Sequence, residues 1–319
     1  MAELPFNGYE DETDCVPDIA NLNESDLASG GLFVPPELSA ELIQLIHDGG
    51  CVEGFARHYP MKREQLIIRT FASSAEANWV GAQCVKSKDA PTFDAVELIA
   101  RKLAVIVPME DQLLEDMDTD LAAQTKNDIV QVFIEKIDKT FLGYVAGSPF
   151  SDSLSGNTPL AHTIPSGTEL DIYGDFSAAI SEVEKDGYDV TGAIAHKGVK
   201  HLLRNARDGN GNLLLINDPT ACTPQAQWCL AGVPICFTNQ SDAQNSPAGY
   251  EILLADFSRV LVGDRTGMQI DRSNSATLTQ LSLDPINLFE QDMVADRYVM
   301  RKAFTIVDDN ALAKVTGIA

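Results

Sequence analysis

The feature that most constrains this chain is an apolar stripe at helical spacing near its middle. Leu121, Thr125, Ile129, Val132, Phe133, Ile137, Phe141 and Val145 recur at intervals that place side chains on one face of an α-helix. Thr119 is the candidate N-cap, and Gly147 and Pro149 are the expected stop. At ~1.5 Å per residue, a helix over residues 118–146 spans roughly 40 Å. A rod of that length is unusual in a globular domain and suits a strut along which other elements pack.

The flanking sequence alternates between periods. Residues 1–35 are polar and acidic and lack an apolar period, which predicts an extended arm. Pro35 and Pro36 then introduce a short helix over residues 37–47, and Gly49 and Gly50 stop it. LIIRTF and ELIARKLAVIV read as strands around the polar segment AQCVKSKDAPT. Few residues between them can bury themselves locally, so a long, projecting hairpin is predicted. After the rod come a helix over 175–185, a buried strand TGAIAH, a helix over 197–206 and a turn at DGNGN. LAGVPICF, YEILLADF and VADRYVMRKAFTIV follow as strands. Helices and strands mixed without regular βαβ alternation predict an α+β fold.

Composition excludes several classes. The net charge is -24 and no Lys or Arg precedes Arg57. A duplex-binding protein needs a basic face to displace counterions, and no clustered one is apparent, which argues against a nucleic-acid reader. The acidic start MAELPFNGYEDETDC is unlike a signal peptide, and no later apolar run would span a bilayer; a soluble, unsecreted protein without membrane partners is expected. The six cysteines are read as reduced thiols. Cys222, Cys229 and Cys236 recur every seventh residue, a spacing that matches no zinc signature. There is no G-x-S-x-G elbow, Walker loop, H-E-x-x-H or C-x-x-C pair, and the five histidines are scattered. Asp208, Asn210 and Asn212 open like a calcium loop, but Leu213 and Pro219 stand where that loop needs glycine and glutamate. The acidic cluster from Glu110 to Asp120 reads as a solvated helix start. No catalytic, cofactor or metal-binding residue is assigned, and no cofactor is expected.

Five phrases in order carry a resemblance over nearly the whole chain: GGLFVPPELSAELIQLI, KLAVIVPMEDQLLEDMDTDL, LAGVPICFTN, ILLADFSRVLVGDRTGMQID and DRYVMRKAFTIV. Together they resemble the tailed-bacteriophage major capsid family, with its Hong Kong 97-like fold. The resemblance implies an N-terminal arm over residues 1–57 and an extended loop over 66–104. It implies a peripheral domain from 58–65, 105–165 and 256–302 carrying the spine helix, and an axial domain over 166–255 joined by a C-terminal strand within 303–319. Gly232, Pro234, Phe257, Gly263 and Arg297 stand where the family pattern expects them.

The function implied is self-assembly into hexamers and pentamers of an icosahedral shell around double-stranded DNA, held without sequence-specific binding. Candidate inter-subunit residues are Phe33, Leu42, Trp79, Lys86, Lys88, Phe93, Asn287 and Arg297. A scaffolding protein separate from this chain, a portal and decoration or cement proteins are the expected partners, since the chain reaches its arm almost at once from Met1. The subunit is expected in the virion capsid, and in the host cytoplasm during assembly. An encapsulin-type nanocompartment shell is the alternative on the same fold, and an enzyme with an unrecognised site is a distant one. Some relatives join a loop lysine to an asparagine with help from a glutamate. Here Val294 and Ala295 occupy the places where that glutamate would stand, so no autocatalytic cross-link is expected.

Overall fold

The computed structural model describes residues 45–46, 49–73, 79, 92–111, 119–167, 171–207, 210–217, 228–241, 249–280 and 283–318, with the side chains of 71–73, 93, 119–126, 266, 280 and 283–285 left undescribed. The predicted arm therefore lies outside the described residues up to residue 44, and the helix predicted over 37–47 is seen only at Leu45 and Ile46. In chain order the elements are α1 (Cys51–Phe55), β1 (Arg57–Pro60), β2 (Gln65–Ser73), β3 (Thr92–Ile99), β4 (Arg101–Glu110), α2 (Thr119–Leu142), α3 (Leu154–Asn157) and β5 (Thr163–Pro165). There follow α4 (Ile172–Lys185), β6 (Gly192–His196), α5 (Lys200–Asn205), β7 (Ile216–Asn217), β8 (Trp228–Leu230), β9 (Val233–Thr238) and β10 (Tyr250–Ala255). β11 (Val260–Ser273), β12 (Thr277–Gln280), β13 (Leu283–Asn287), β14 (Met293–Ile306) and β15 (Leu312–Ile318) complete the chain.

The predicted rod is α2. Its 24 residues span about 36 Å. Ile129, Val130, Phe133, Ile134, Ile137 and Phe141 are buried along one face, whereas Val132, assigned to the stripe from sequence, faces outward. The helix stops earlier than Gly147 and Pro149 suggested. Gly143 has φ +98°, its N–H donates to the Thr140 carbonyl at 3.2 Å, and the Tyr144 N–H donates to the Lys139 carbonyl at 3.0 Å. This pair of bonds is a Schellman stop, which a glycine in the left-handed region makes without strain.

Two larger sheets carry the body. The first has the order β1-β11-β14-β4, with β1 parallel to β11 and the remaining pairs antiparallel. It shares its core with α2: Phe141 stacks on Phe304 of β14 at 4.4 Å between ring centroids. The second has the order β5-β15-β10-β6-β9-β8-β7. α4 packs its buried Phe176, Ala179 and Val183 against it, with Val199 and Leu203 beside them. Asp171 caps α4 by accepting the Gly174 N–H at 2.6 Å. The C-terminal strand β15 lies between β5 and β10, so the last residues are in the middle of a sheet begun far earlier in the chain.

LAGVPICF is two strands, not the one read from sequence. Leu230 pairs with Val233 across a two-residue turn in which Ala231 has φ +52° and Gly232 φ +83°. Positive φ at both central residues marks a type I′ hairpin, whose twist matches that of the flanking strands.

The projecting hairpin is β2 and β3, antiparallel from Gln65 opposite Ile99 to Ser73 opposite Thr92. β3 passes through Ala100 into β4, an edge strand of the first sheet, so the hairpin is rooted there. Leu98 at its base is fully buried, while Ile67 further out is 61% exposed.

The cysteines depart from the sequence reading. Cys51 of α1 and Cys236 of β9 form a disulfide with Cα atoms 5.9 Å apart, bridging 185 residues. Spacing in a sequence carries no information about which thiols meet in space. Cys229 is not disulfide-bonded, and the other three cysteines lie outside the described residues. The bridge closes a very long loop, so Cys51→Ser is expected to lower stability by about 2–4 kcal/mol in oxidising buffer. Under strong reductant, unfolding of wild type and variant should converge; equal stability in oxidising buffer would show that the bridge contributes nothing.

Candidate assembly surface

The arm enters the body through α1, a helix of five residues. So short a helix is unstable alone and needs partners for its first N–H groups. Its N-cap, Gly50, has no side chain to offer. Asp138 of α2 does the capping: Cys51 N–H donates to its Oδ2 at 3.0 Å and Val52 N–H to its Oδ1 at 3.2 Å. Gly49 runs so close to Ile134 that a side chain there would collide with it. Phe55, at the far end, stacks on Phe257 with centroids 4.9 Å apart. α1 is thus fixed to the rod at one end and to the two sheets at the other.

Beneath α1 lies a cluster of charges that sequence reading missed. Lys302 of β14 is buried and sits 2.9 Å from Glu53 Oε1 and 2.6 Å from Asp264 Oδ1. His58 Nδ1 lies 2.9 Å from Asp264 Oδ2, and its Nε2 lies 2.9 Å from the Glu53 carbonyl. Four elements, α1, β1, β11 and β14, each contribute one group. Burial alone lowers the His58 pKa, but the Asp264 hydrogen bond, the Glu53 carbonyl and the two carboxylate charges raise it above its ordinary value. Burial pushes the Asp138 carboxyl up to about 7, against the two N–H bonds that favour its charged form. The alternation of β14 made Lys302 look like an ordinary sheet residue; only the facing Glu53 and Asp264 explain a buried ammonium.

The sequence candidates for inter-subunit contact scatter. Phe33, Leu42, Lys86 and Lys88 lie outside the described residues. Trp79, at the far end of the hairpin, is fully exposed. Phe93 occupies a position on β3 opposite Phe71, with its side chain undescribed. Asn287 ends β13, half-buried, and its carbonyl accepts the Gln291 N–H. Arg297 makes an exposed ion pair with Asp271, the residue opposite it on β11, at 2.6 Å. Val294 and Ala295 are buried in β14. Sequence reading missed the outward apolar side chains Ile106 on the edge strand β4, Val132 on α2, Leu160, and Phe289, which is 76% exposed. Ile106 and Val132 follow the period of their strand and helix as core residues do, and only the fold reveals that the described residues leave all four exposed.

Of the remaining histidines His47 lies outside the described residues, and the other three have structural partners. His162 is buried with Nδ1 2.8 Å from the Leu312 carbonyl, His196 accepts the Gly198 N–H, and His201 Nδ1 lies 2.7 Å from the Gly198 carbonyl. No group of three or more metal-ligating side chains occurs among the described residues. No helix among them is long and apolar enough to cross a membrane. The basic residues are less dispersed than they seemed: Lys200 and Arg204 lie beside Trp228, and Lys197 is close enough for its charge to act on Lys200.

Two consequences are measurable on the unassembled subunit. Lys302→Met leaves Glu53 buried without its cation and is expected to cost about 3–5 kcal/mol in denaturant unfolding, whereas Arg297→Ala is expected to cost no more than about 1 kcal/mol. Equal effects would refute the different roles given to the two cations. Asp138 and His58 both bind protons more tightly folded than unfolded. Their stabilisation is complete below the unfolded pKa values, near 4 and 6.5, and is lost as pH rises through the raised folded ones. The melting temperature is therefore expected to fall from about pH 4 to pH 7 through Asp138, and further above about pH 6.5 through His58, and to fall less in Asp138→Asn and His58→Gln. An unchanged slope in both variants would contradict these assignments.

The chain matches the model of the phage capsid family over residues 30–317. It is 23% identical over 309 residues to the major capsid protein of Klebsiella oxytoca phage phiKO2, covering 91% of this chain and 69% of that protein. It is 24% identical over 288 residues to the major capsid protein of Staphylococcus phage 80alpha, covering 88% and 83% respectively. Among solved structures, a chain of Microbacterium phage Oxtober96 aligns with TM-score 0.69 at 23% identity, covering 84% of this chain and 90% of that one. The capsid of a native GTA particle aligns with TM-score 0.60 at 16% identity, covering 94% and 100%. The fold is accordingly the α+β Hong Kong 97-like capsid fold, as the sequence implied. With the match extending through the arm's entry, the rod, both sheets and the C-terminal strand, the chain belongs to the phage capsid family, a family of shell proteins and not of enzymes.

Proposed function

We propose that this chain is the major capsid protein of a tailed phage, forming hexamers and pentamers of an icosahedral shell around double-stranded DNA. The observation that carries the proposal is the β2–β3 hairpin. It is rooted on an edge strand, exposes Ile67 along its length and carries Trp79 into solvent. A two-stranded ribbon is marginal by itself and gains stability only when a surface covers it. Within one subunit the described residues cover only its base, where Leu98 packs with Met61, Leu261 and Ala303; a neighbouring copy would cover the rest. Phe289, Ile106 and Val132 offer further apolar area outside the subunit's core.

In this reading the first sheet and α2 form the peripheral domain, with α2 as the spine helix. The second sheet with α4 and α5 forms the axial domain. β5 joins the axial sheet from residue 163, and the chain crosses back between Ile306 and Leu312. Trp79 and Arg297 are exposed and Asn287 partly so, and Phe33, Leu42, Lys86, Lys88 and Phe93 belong to the arm and hairpin that would reach a neighbour. A net charge of -24 favours a shell that holds DNA without binding its sequence, since phosphate is repelled. Scaffolding, portal and decoration proteins complete assembly in the host cytoplasm. The test is electron microscopy and sedimentation of the chain expressed alone and with neighbouring genes: closed polyhedral shells or free hexamers and pentamers are expected. A compact monomer under every condition would overturn the proposal.

A further inference from the structure

Lys197, Lys200 and Arg204 stand together on a protein whose charge is otherwise strongly negative. Lys197 and Arg204 are exposed and Lys200 is half-buried. Lys200 Nζ lies 4.8 Å from the Trp228 ring centroid and 5.0 Å from that of Phe237, and the Arg204 guanidinium lies 5.3 Å from Trp228. The rings hold Lys200 and Arg204 beside one another despite their repulsion: burial first, then the Arg204 and Lys197 charges, lower the Lys200 pKa. Among the described residues none of the three makes an ion pair. From Val190 to Arg207 the sequence has no carboxylate at all.

The arm enters the body at this place. Gly49 and Cys51 line the same depression as Lys197 and Phe237, together with Glu135 and Asp138. Preceding them in the chain, from Glu3 to Asp26, are eight carboxylates and no cation. The linking chain between residues 26 and 49 can reach up to about 75 Å when extended, far more than the patch requires. Tethering on such a linker gives an effective concentration of roughly millimolar, so weak exposed ion pairs suffice for association.

We infer that the Lys197–Lys200–Arg204 face is a docking site for the acidic N-terminal segment, residues 3–26, of the same chain. The tie does not depend on the shell reading. It would hold the arm against its own second sheet until a neighbouring subunit competes for it. Duplex DNA is a poorer fit: three cations neutralise about three phosphates, and the surrounding net charge opposes approach.

The test is carbodiimide coupling of the purified full-length chain, an equal mixture of light and nitrogen-15 molecules, read by mass spectrometry. Amide cross-links from Lys197 or Lys200 to carboxylates of residues 3–26, within one molecule, are expected. They should weaken in about 0.5 M salt, where screening is short-ranged. Cross-links from these lysines only to Asp218, Asp242 or other carboxylates beyond residue 50, only between light and heavy molecules, or none at all, would overturn the inference. Independently, the K197E/K200E/R204E chain should be cut within residues 3–26 by a glutamate-specific protease about tenfold faster than wild type, the release expected of a few exposed ion pairs. Equal cutting rates would overturn it, as would retention of a short DNA duplex by wild type that these substitutions abolish while leaving cutting unchanged.

Discussion

The ammonium of Lys302 is the point on which the arrangement of this subunit depends. It is buried between Glu53 and Asp264, where an unpaired charge would cost several kcal/mol. The three groups belong to α1, β11 and β14, and His58 of β1 completes the set. Moving α1 away would part the buried Glu53 from its cation and leave Lys302 with Asp264 alone, which opposes drift of the arm's entry point relative to the first sheet. Apolar contacts alone would tolerate sliding by a fraction of a turn; paired charges with fixed partners do not.

A second set of constraints acts on the opposite side of α1. Asp138 caps it from the rod, and the Cys51–Cys236 bridge fastens it to the second sheet. Five residues therefore meet the rod and both sheets. The geometry explains how the subunit can carry a hairpin whose outer part contributes little to its own core. Two apolar clusters, one shared by α2 and the first sheet and one by α4 and the second, contain no residue of β2 or β3, and only the hairpin's base joins a third, small one with Met61, Leu261 and Ala303. The outward elements are thus free to spend their apolar surface on neighbours, and a symmetric shell repeats each such contact many times.

Much of this was legible in the sequence, for reasons that can be stated. The rod announced itself because its buried residues from Ile129 to Phe141 follow one period without interruption. The hairpin was legible because two β-branched runs flank a polar segment. Periodicity is weaker at ends: it carried the rod past Gly143, whose role depends on the backbone bonds it makes. It also joined Leu230 to Val233, because Ala231 is rarely found at positive φ and gave no turn signal beside Gly232. What sequence could not reveal was pairing in space. Cys51 with Cys236, Lys302 with Glu53, and Asp138 with the α1 amides join residues more than eighty apart. The basic face was missed because counting charge over a whole acidic chain hides three cations within eight residues.

The most direct test of the central claim, that the hairpin is completed by a neighbour while the two cores are complete alone, is hydrogen exchange of the subunit before and after assembly. Amides of β2 and β3 should exchange quickly in the free subunit and slow by at least about a hundredfold on assembly, while those of β6, β10 and β15 stay equally protected in both. Hairpin amides already protected in the free subunit, or unchanged on assembly, would contradict the account.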